Sequence, residues 1–376
     1  MSSAIEILTP HLRNYEWGSK TQIPELFSWP VSETPLAEIW LGAHPHGSSV
    51  TDTGVSLSSL IEADPLRLLG EEVCSRFGNR LPFLMKFLAA DAPLSIQVHP
   101  TLKAAQEGFA RESASGISHE NRNYQDPYDK PEQMCALSDM WALVGFIETR
   151  KCREFFMRID DYDAVQALEA NSSGEVFMNL LKRELKLGLA EIVEKLSENY
   201  EEDIWVKKLH NQYPNDPAVL APFFMNLIHI QPGEAIFVNA GTVHAYLSGC
   251  GVEVMGASDN VLRSGLTTKK IDVDELERIV NLTPMTPRVI RPEKSNLQTW
   301  VSEVEYFKLQ KFDAGQSRIA GPAVIACVEG VVSLIAENSQ VSLAKGQFAY
   351  LVGEVEASIQ GTGSAYLCTT NIQGDA

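Results

Sequence analysis

Residues 223–246 read FFMNLIHIQPGEAIFVNAGTVHAY. Runs rich in β-branched and aromatic residues flank the turn QPGE, and a further run, TVHAY, follows NAG; this texture predicts short strands separated by tight turns. EAIFV and TVHAY are expected to form a hairpin that carries His244 on its second strand. The same texture occurs upstream. Residues 81–100, LPFLMKFLAADAPLSIQVHP, read as strand, tight turn, strand. LKAAQEGFARESA, which follows, has apolar residues at helical spacing. YQDPYDKPE is expected to be extended or looped, because Pro127 and Pro131 both oppose helix.

Working outward, the chain divides by texture. Residues 1–149 are rich in Pro and Gly with short apolar stretches. Residues 150–222 contain DAVQALEA and EVFMNLLKRELKLGLAEIVEKLSENYEEDIWVKKLHNQY, helical in composition and period, and Pro is absent from Arg150 to Tyr213. This stretch is expected to be a helical insertion. Strand texture returns over 223–292, with one helix near 272–281. A last β-rich block, 293–376, holds EYFKLQKF, AVIACVEGVVSLIA and SQVSLAKGQFAYLV. The fold class is therefore mainly β, a sandwich or barrel of many short strands.

Composition excludes several functions. The 376 residues are 44% hydrophobic and 21% charged, a globular balance. Lys and Arg total 31 against 49 Asp and Glu, a net charge of -18. Such a surface repels phosphate backbones, so neither nucleic acid nor an anionic membrane is expected as a partner. The six cysteines are scattered without a CxxC pair, which suits a reducing compartment. The first residues lack a basic head and apolar stretch of the secretory kind. No run approaches the ~18 apolar residues of a membrane span. A soluble, cytoplasmic chain is expected, a monomer or weak homo-oligomer.

Three places could carry chemistry. On a strand, Gln97 and His99 project from one face, a common way to present two metal ligands; a lone strand His is also often a core or surface residue. His244 lies in Gly233-x5-Asn239-Ala240-Gly241-x2-His244, which resembles the second motif of the cupins, with Asn239 where that motif has Pro. Glu132, in Asp129-Lys130-Pro131-Glu132, offers the one carboxylate that two His and a Gln would need. Two nitrogens and two oxygens suit a borderline divalent ion such as zinc.

These segments together resemble the type I phosphomannose isomerases. That family carries SDNV-x-R-x-GLT, met here as Asp259-Asn260-Val261-Leu262-Arg263-Ser264-Gly265-Leu266-Thr267. It also carries Gln-x-His-Pro (QVHP), YxDxxxKPE (YQDPYDKPE) and an early E-x-W-x-G-x-H (EIWLGAH, Glu38 to His44). The resemblance implies a cupin jelly-roll sandwich in two parts, 1–149 and 223–292, interrupted by the helical insertion. The C-terminal block, which has no His after His244, would be a metal-free jelly-roll-like domain. It implies one zinc ion held by Gln97, His99, Glu132 and His244, with Arg263, Lys130 and Lys86 as cations of the same pocket. Two positions depart from the family: Asp129 stands where His is usual, and Cys250 where an acid is usual.

The implied reaction interconverts mannose 6-phosphate and fructose 6-phosphate through an enediol. A divalent ion beside the carbonyl stabilises the developing charge. Arg263 offers a planar charged fork, or alternatively pairs with Asp259. Lys86, Lys130 and, after the GLTT turn, Lys269 and Lys270 are candidates for the phosphate. Asp259, Asp129 and a metal-bound hydroxide are candidate bases, Asp259 first, although it can equally cap its turn. Trp17 could form a sugar-stacking wall or pack in the core. His44 and His46 form a His-x-His pair, but Pro45 disfavours a central strand there. Two other readings remain open: an iron oxygenase using His99, Glu132 and His244 as a facial triad, and a non-catalytic sugar-phosphate binder.

Overall fold

The computed structural model describes residues 3–372. One strand organises the catalytic half. His244–Gly256 is 13 residues long and buried along nearly its whole length. Its first part pairs with Met140–Phe146 and, at His244, with Gln97. Its second part pairs with Phe83–Ala90 on one side and Glu132–Ala136 on the other. The strand thus passes from one wall of a sandwich into the other. The bend falls at Gly249, whose φ is 107°. A Cβ there would stand 2.5 Å from the Asp139 carbonyl oxygen, so only glycine fits the corner.

The expected hairpin is not formed. Ala235–Val238 pairs with Glu132–Ala136 and Val289–Ile290, not with the strand that carries His244. Met225–Ile230 pairs with Met140–Phe146 in the opposite wall. Strands adjacent in sequence therefore lie in different walls, and QPGE and NAG are corners between walls. Local pattern cannot separate a corner from a hairpin, because both are short polar turns between apolar runs. This alternation makes the fold a cupin jelly roll. One wall runs from Val289–Ile290 through the second part of the long strand to His11–Arg13. The other joins Met225–Ile230, Met140–Phe146, the first part of the long strand, Ile96–Val98 and Leu262–Gly265.

Five helices, from Thr149–Arg158 to Glu201–Gln212, occupy the region expected to be helical. Ser173–Leu181 starts with a capping box, in which Ser172 and Glu175 each accept from the other's backbone N–H. Phe156, Phe177, Phe223 and Phe224 of this region share one core with Ile96, Val98 and Leu143. The helices thereby back the wall that carries Gln97. Leu102–Ala114 and Val273–Ile279 are helical as the spacing predicts. Four further short helices, between Gln22 and Phe77, were not expected from the Pro- and Gly-rich texture.

The C-terminal block builds a second sheet around Lys308–Ala320 and Glu356–Thr369. Ile5–Thr9, at the other end of the chain, belongs to this sheet, in register with Phe348–Leu351. Phe27, Phe87, Trp300 and Tyr366 lie in a core common to both halves.

Candidate active site

Three strands set a row of side chains across one wall. Gln97 is in register with His244 on one side and Arg263 on the other. His99 follows two residues on, and its carbonyl accepts from the Gly241 N–H at 2.7 Å, which ties down the corner before His244. Glu132 opens its strand opposite Met255 and Val238. The result is convergence. His99 Nε2 lies 3.0 Å from Glu132 Oε1, and His244 Nε2 lies 3.2 Å from Glu132 Oε2. All three side chains are buried, and their ligand-capable atoms fall within 4.8 Å of one another. Gln97 is half-buried, and its amide nitrogen donates to Ser95 Oγ at 3.4 Å, while its amide oxygen has no hydrogen bond among the described residues.

The proton positions say what belongs in the middle. His99 Nδ1 stands 2.7 Å from the Asn260 carbonyl oxygen, and His244 Nδ1 stands 3.0 Å from that of Thr242. A carbonyl only accepts, so each Nδ1 carries its proton. In the neutral ring Nε2 is then a lone pair, and both Nε2 atoms face a carboxylate. Burial, with Lys130 next, lowers His99 to about 4, so that ring is neutral near pH 7. Among the described residues its buried Nε2 has no hydrogen-bond partner. Lone pairs facing lone pairs repel unless a cation stands between them. The donor set therefore fits a divalent metal, and the two carbonyls are the outer partners that orient metal-binding imidazoles.

Buried charges surround this centre. Lys130 Nζ is 3.0 Å from Glu132 Oε1. Burial pushes the Glu132 carboxyl up, but Lys130 and the imidazoles override it and hold it well below the usual carboxylate range. Lys86 Nζ is 3.1 Å from Glu253 Oε2, on residues directly opposite in neighbouring strands. Burial draws the Lys86 ammonium down, while Glu253, Glu38 and Glu132 together leave it above its ordinary value. For Glu253 burial dominates over Lys86, so its carboxyl is raised. Trp40 lies 5.1 Å from Lys86 Nζ, and its Nε1 donates to Glu38 Oε2 at 2.7 Å. Glu38, Lys86, Gln97, Lys130, Glu132 and Glu253 line one small cavity. Three carboxylates face two ammonium groups there, and a dication reverses the sign of that balance.

Sequence reading missed Glu253 and Glu38. A signal existed: a single acid in GVEVMG and a single base in FLMKFL are each costly in apolar strands unless they meet.

The remaining candidates do not line that cavity. The Arg263 guanidinium has no hydrogen bond or ion pair among the described residues, and burial lowers its ordinary value. Its alternative partner, Asp259, is engaged elsewhere, 2.6 Å from His46 Nδ1 and 3.5 Å from His44 Nε2. Arg263 in turn lowers Lys269, which lines a separate cleft beside Asp216. Lys270 is exposed. Trp17 is half-buried against the core cluster that includes Leu88, Leu94 and Tyr246, and it stacks on Tyr15 at 5.5 Å. Asp129 accepts from the Tyr306 hydroxyl at 2.6 Å, which turns it toward the C-terminal half. Cys250 sits three residues before Glu253 on one strand, hence on the opposite face, and burial in the shared core pushes its thiol up to about 12.

The comparisons agree with this geometry. Residues 5–149 match the family model for the catalytic domain of type I phosphomannose isomerase. Mannose-6-phosphate isomerase of Escherichia coli is 36% identical over 376 residues, which cover 94% of this chain and 96% of that protein. The human mannose-6-phosphate isomerase is 31% identical over 332 residues, 77% of each chain. A crystal structure of mannose 6-phosphate isomerase in its holo, zinc-bound form superposes with a TM-score of 0.89 at 33% identity, covering 98% of this chain and 100% of that one.

Proposed function

The chain belongs to the type I phosphomannose isomerase family, and from that membership we propose that it is a metal-dependent isomerase interconverting mannose 6-phosphate and fructose 6-phosphate through an enediol. The observation that carries the reading is the buried meeting of His99, Glu132 and His244 with two imidazole nitrogens aimed at one carboxylate. Gln97, in register with His244, completes a two-nitrogen, two-oxygen set suited to zinc. When bound, the ion polarises the sugar carbonyl and stabilises charge on the enediol oxygens.

The chain's own residues divide the remaining work. We assign the transfer between carbon 2 and carbon 1 to Glu253, a cavity carboxyl raised by burial toward the range a general base needs. Lys86 keeps that carboxylate in place and offsets the negative charge that develops beside it. Lys130 does the same for Glu132. Both ammonium groups are therefore balanced by carboxylates, which favours other cations for the phosphate. Arg263 and Lys269 repel one another and no acid among the described residues pairs with Arg263, so an anion relieves both. Trp17, packed beside the cluster that holds Leu88, Leu94 and Tyr246 of the cavity wall, is assigned to the sugar face.

We further read residues 1–149 and 223–292 as one catalytic unit, 150–222 as its insertion and 293–376 as a supporting unit that also takes in the strand Ile5–Thr9. No helix among the described residues is long and apolar enough to cross a membrane, and the six cysteines are free, which supports a cytoplasmic setting. A monomer or weak homo-oligomer remains our reading of its assembly.

A coupled assay following fructose 6-phosphate formation from mannose 6-phosphate tests the activity, together with metal analysis of protein purified without added metal. Turnover that disappears in Gln97→Ala and Glu132→Ala variants is expected, and a raised KM in Arg263→Ala. Wild-type protein that binds mannose 6-phosphate without converting it would leave a binding protein, and iron in place of zinc would favour the oxygenase reading.

A further inference from the structure

Tyr246 lies two residues beyond His244 on one strand. Both positions pair regularly with Met140–Phe146, so the two side chains share a face. Their rings stand 6.1 Å apart. Tyr246 lines the small cavity together with Gln97, Glu132, His244 and Glu253. Its ring belongs to the core cluster that holds Leu88 and Leu94, both of which also reach the cavity wall. The hydroxyl oxygen is buried as well, and among the described residues it has no hydrogen-bond partner. An unpartnered buried hydroxyl is destabilising. Phenylalanine would fill the same core without that cost, so packing explains the ring and not the oxygen.

The reaction holds a task for it. Open-chain mannose 6-phosphate carries a carbonyl at carbon 1 and a hydroxyl at carbon 2, and in fructose 6-phosphate the two are exchanged. A proton must therefore pass from O2 to O1, besides the one that Glu253 moves between the carbons. The group that relays it must donate and accept at once. An ammonium only donates and a carboxylate only accepts, which sets aside Lys86, Lys130, Glu38 and Glu132. Two hydroxyls line the cavity, those of Ser95 and Tyr246. Ser95 Oγ already accepts from the Gln97 amide at 3.4 Å, whereas the Tyr246 hydroxyl is unengaged. The cavity, about 50 Å3, admits the reacting end of a sugar rather than a whole hexose phosphate. Carbons 1 and 2 thus come between Tyr246 and Glu253 of the same wall.

We propose that Tyr246 is a further catalytic residue, whose hydroxyl relays the proton between O2 and O1; the proposal rests on the isomerase reading above. Glu253 takes the proton from carbon 2. The C2–H pair becomes the second C1–C2 bond, and the π pair of the carbonyl moves onto O1. The Tyr246 hydroxyl gives its proton to O1 and takes the O2 proton in the same step, so the phenol ends as it began. The pair left on O2 forms the second C2–O2 bond, and the π pair of the C1–C2 bond takes the proton back from Glu253 at carbon 1. One proton moves between carbons and one between oxygens, and none is gained or lost. In a cis-enediol the two oxygens lie side by side, so one hydroxyl serves both.

The test compares zinc-loaded wild type with Tyr246→Phe, which keeps the ring and removes only the hydroxyl. A coupled assay reads isomerisation, and NMR reads the loss of deuterium from carbon 2 of unreacted 2-deuterio-mannose 6-phosphate. In the variant kcat should fall by about a hundredfold, the lower end for a lost proton-transfer group, while KM changes by less than about threefold. Carbon 2 should still be deprotonated, and the enediolate that cannot pass on returns to mannose 6-phosphate. Deuterium lost per ketose formed should therefore rise by about tenfold or more. Zinc content should match wild type, and the unfolding midpoint should be no lower, because no hydrogen bond among the described residues is broken. A kcat within about threefold of wild type, or a fall in turnover with an unchanged deuterium ratio, overturns the proposal. A lowered midpoint or lost zinc would make the role structural and overturns it equally. Wild type that neither exchanges nor isomerises refutes the isomerase reading instead, a separate outcome.

Discussion

The Lys86–Glu253 pair gives the sharpest test of how the pocket is built. Both side chains are almost fully buried, 3.1 Å apart, on facing strands. Removing one partner of such a pair costs about 3–5 kcal/mol, because the other charge remains buried. The two single variants should not cost the same. In Glu253→Leu the ammonium still feels Glu38 and Glu132, so the loss sits near the lower end, about 3 kcal/mol. In Lys86→Met the carboxylates of Glu38, Glu132 and Glu253 face Lys130 alone, so the loss should reach the upper end, about 5 kcal/mol. The double variant Lys86→Met/Glu253→Leu substitutes an apolar pair and should recover most of the stability. At roughly 2 °C per kcal/mol for a chain of this size, thermal unfolding of the zinc-free protein should shift down by about 6 °C and 10 °C in the singles and by much less in the double. Activity should not recover: without Glu253, kcat falls by at least about a hundredfold. Losses that simply add in the double variant would show that the two groups are not coupled and refute this account of the pocket. Full turnover in Glu253→Leu would remove Glu253 as the base.

Stripping the metal with a chelator should abolish turnover and lower stability by roughly 4 kcal/mol relative to protein in a thousandfold excess of metal over its dissociation constant; calorimetry with and without re-added zinc measures it. Arg263→Met breaks no ion pair, so its unfolding midpoint should stay near wild type. Its KM for mannose 6-phosphate should rise by about tenfold or more, the scale of a lost hydrogen bond to a charged group, as read from initial rates. His44 should make folding sensitive to mild acid. Burial, against the pull of Asp259, lowers it from 6.5 to about 4. Between those values the unfolded chain binds the proton and the folded one does not, so stability falls as pH drops through this window, by up to roughly 3 kcal/mol. His44→Gln should flatten that part of the curve in denaturant titrations at pH 7 and pH 4.5.

Legibility in the sequence followed range. Helices depend on local spacing, and Leu102–Ala114, Val273–Ile279 and the helical region from Thr149 to Gln212 could be read directly. Strand content was equally clear, but strand partners were not. Gly233 and Asn239-Ala240-Gly241 look like hairpin turns, yet each sends the chain to the other wall. What decides this is the long strand His244–Gly256, whose bend at Gly249 gives it partners in both walls. A glycine in SGCGVE carries no mark of that role. The strand Ile5–Thr9 shows the same limit, since nothing near it in sequence indicates that its partner lies beyond residue 340.

At the site, residue types were legible and proton positions were not. His99-Glu132-His244 and His44-Asp259-His46 are the same kind of set on paper, two imidazoles and an acid. The difference lies in what meets the second nitrogen of each ring. At the metal centre the Asn260 and Thr242 carbonyls take the Nδ1 protons, so lone pairs converge on Glu132. In the second set a backbone N–H meets His44 Nδ1, so its proton is turned toward Asp259. Each outcome is set by a main-chain group, which every residue has and no side-chain motif can specify. One arrangement calls for a dication and the other satisfies itself, so a pair of titrations can separate them. Metal-binding stoichiometry should stay at one in wild type and in His46→Gln, and fall to zero in His99→Ala. Two equivalents in wild type with one in His46→Gln would mean that the second set also binds metal, and the proton assignment drawn from its hydrogen bonds would fail.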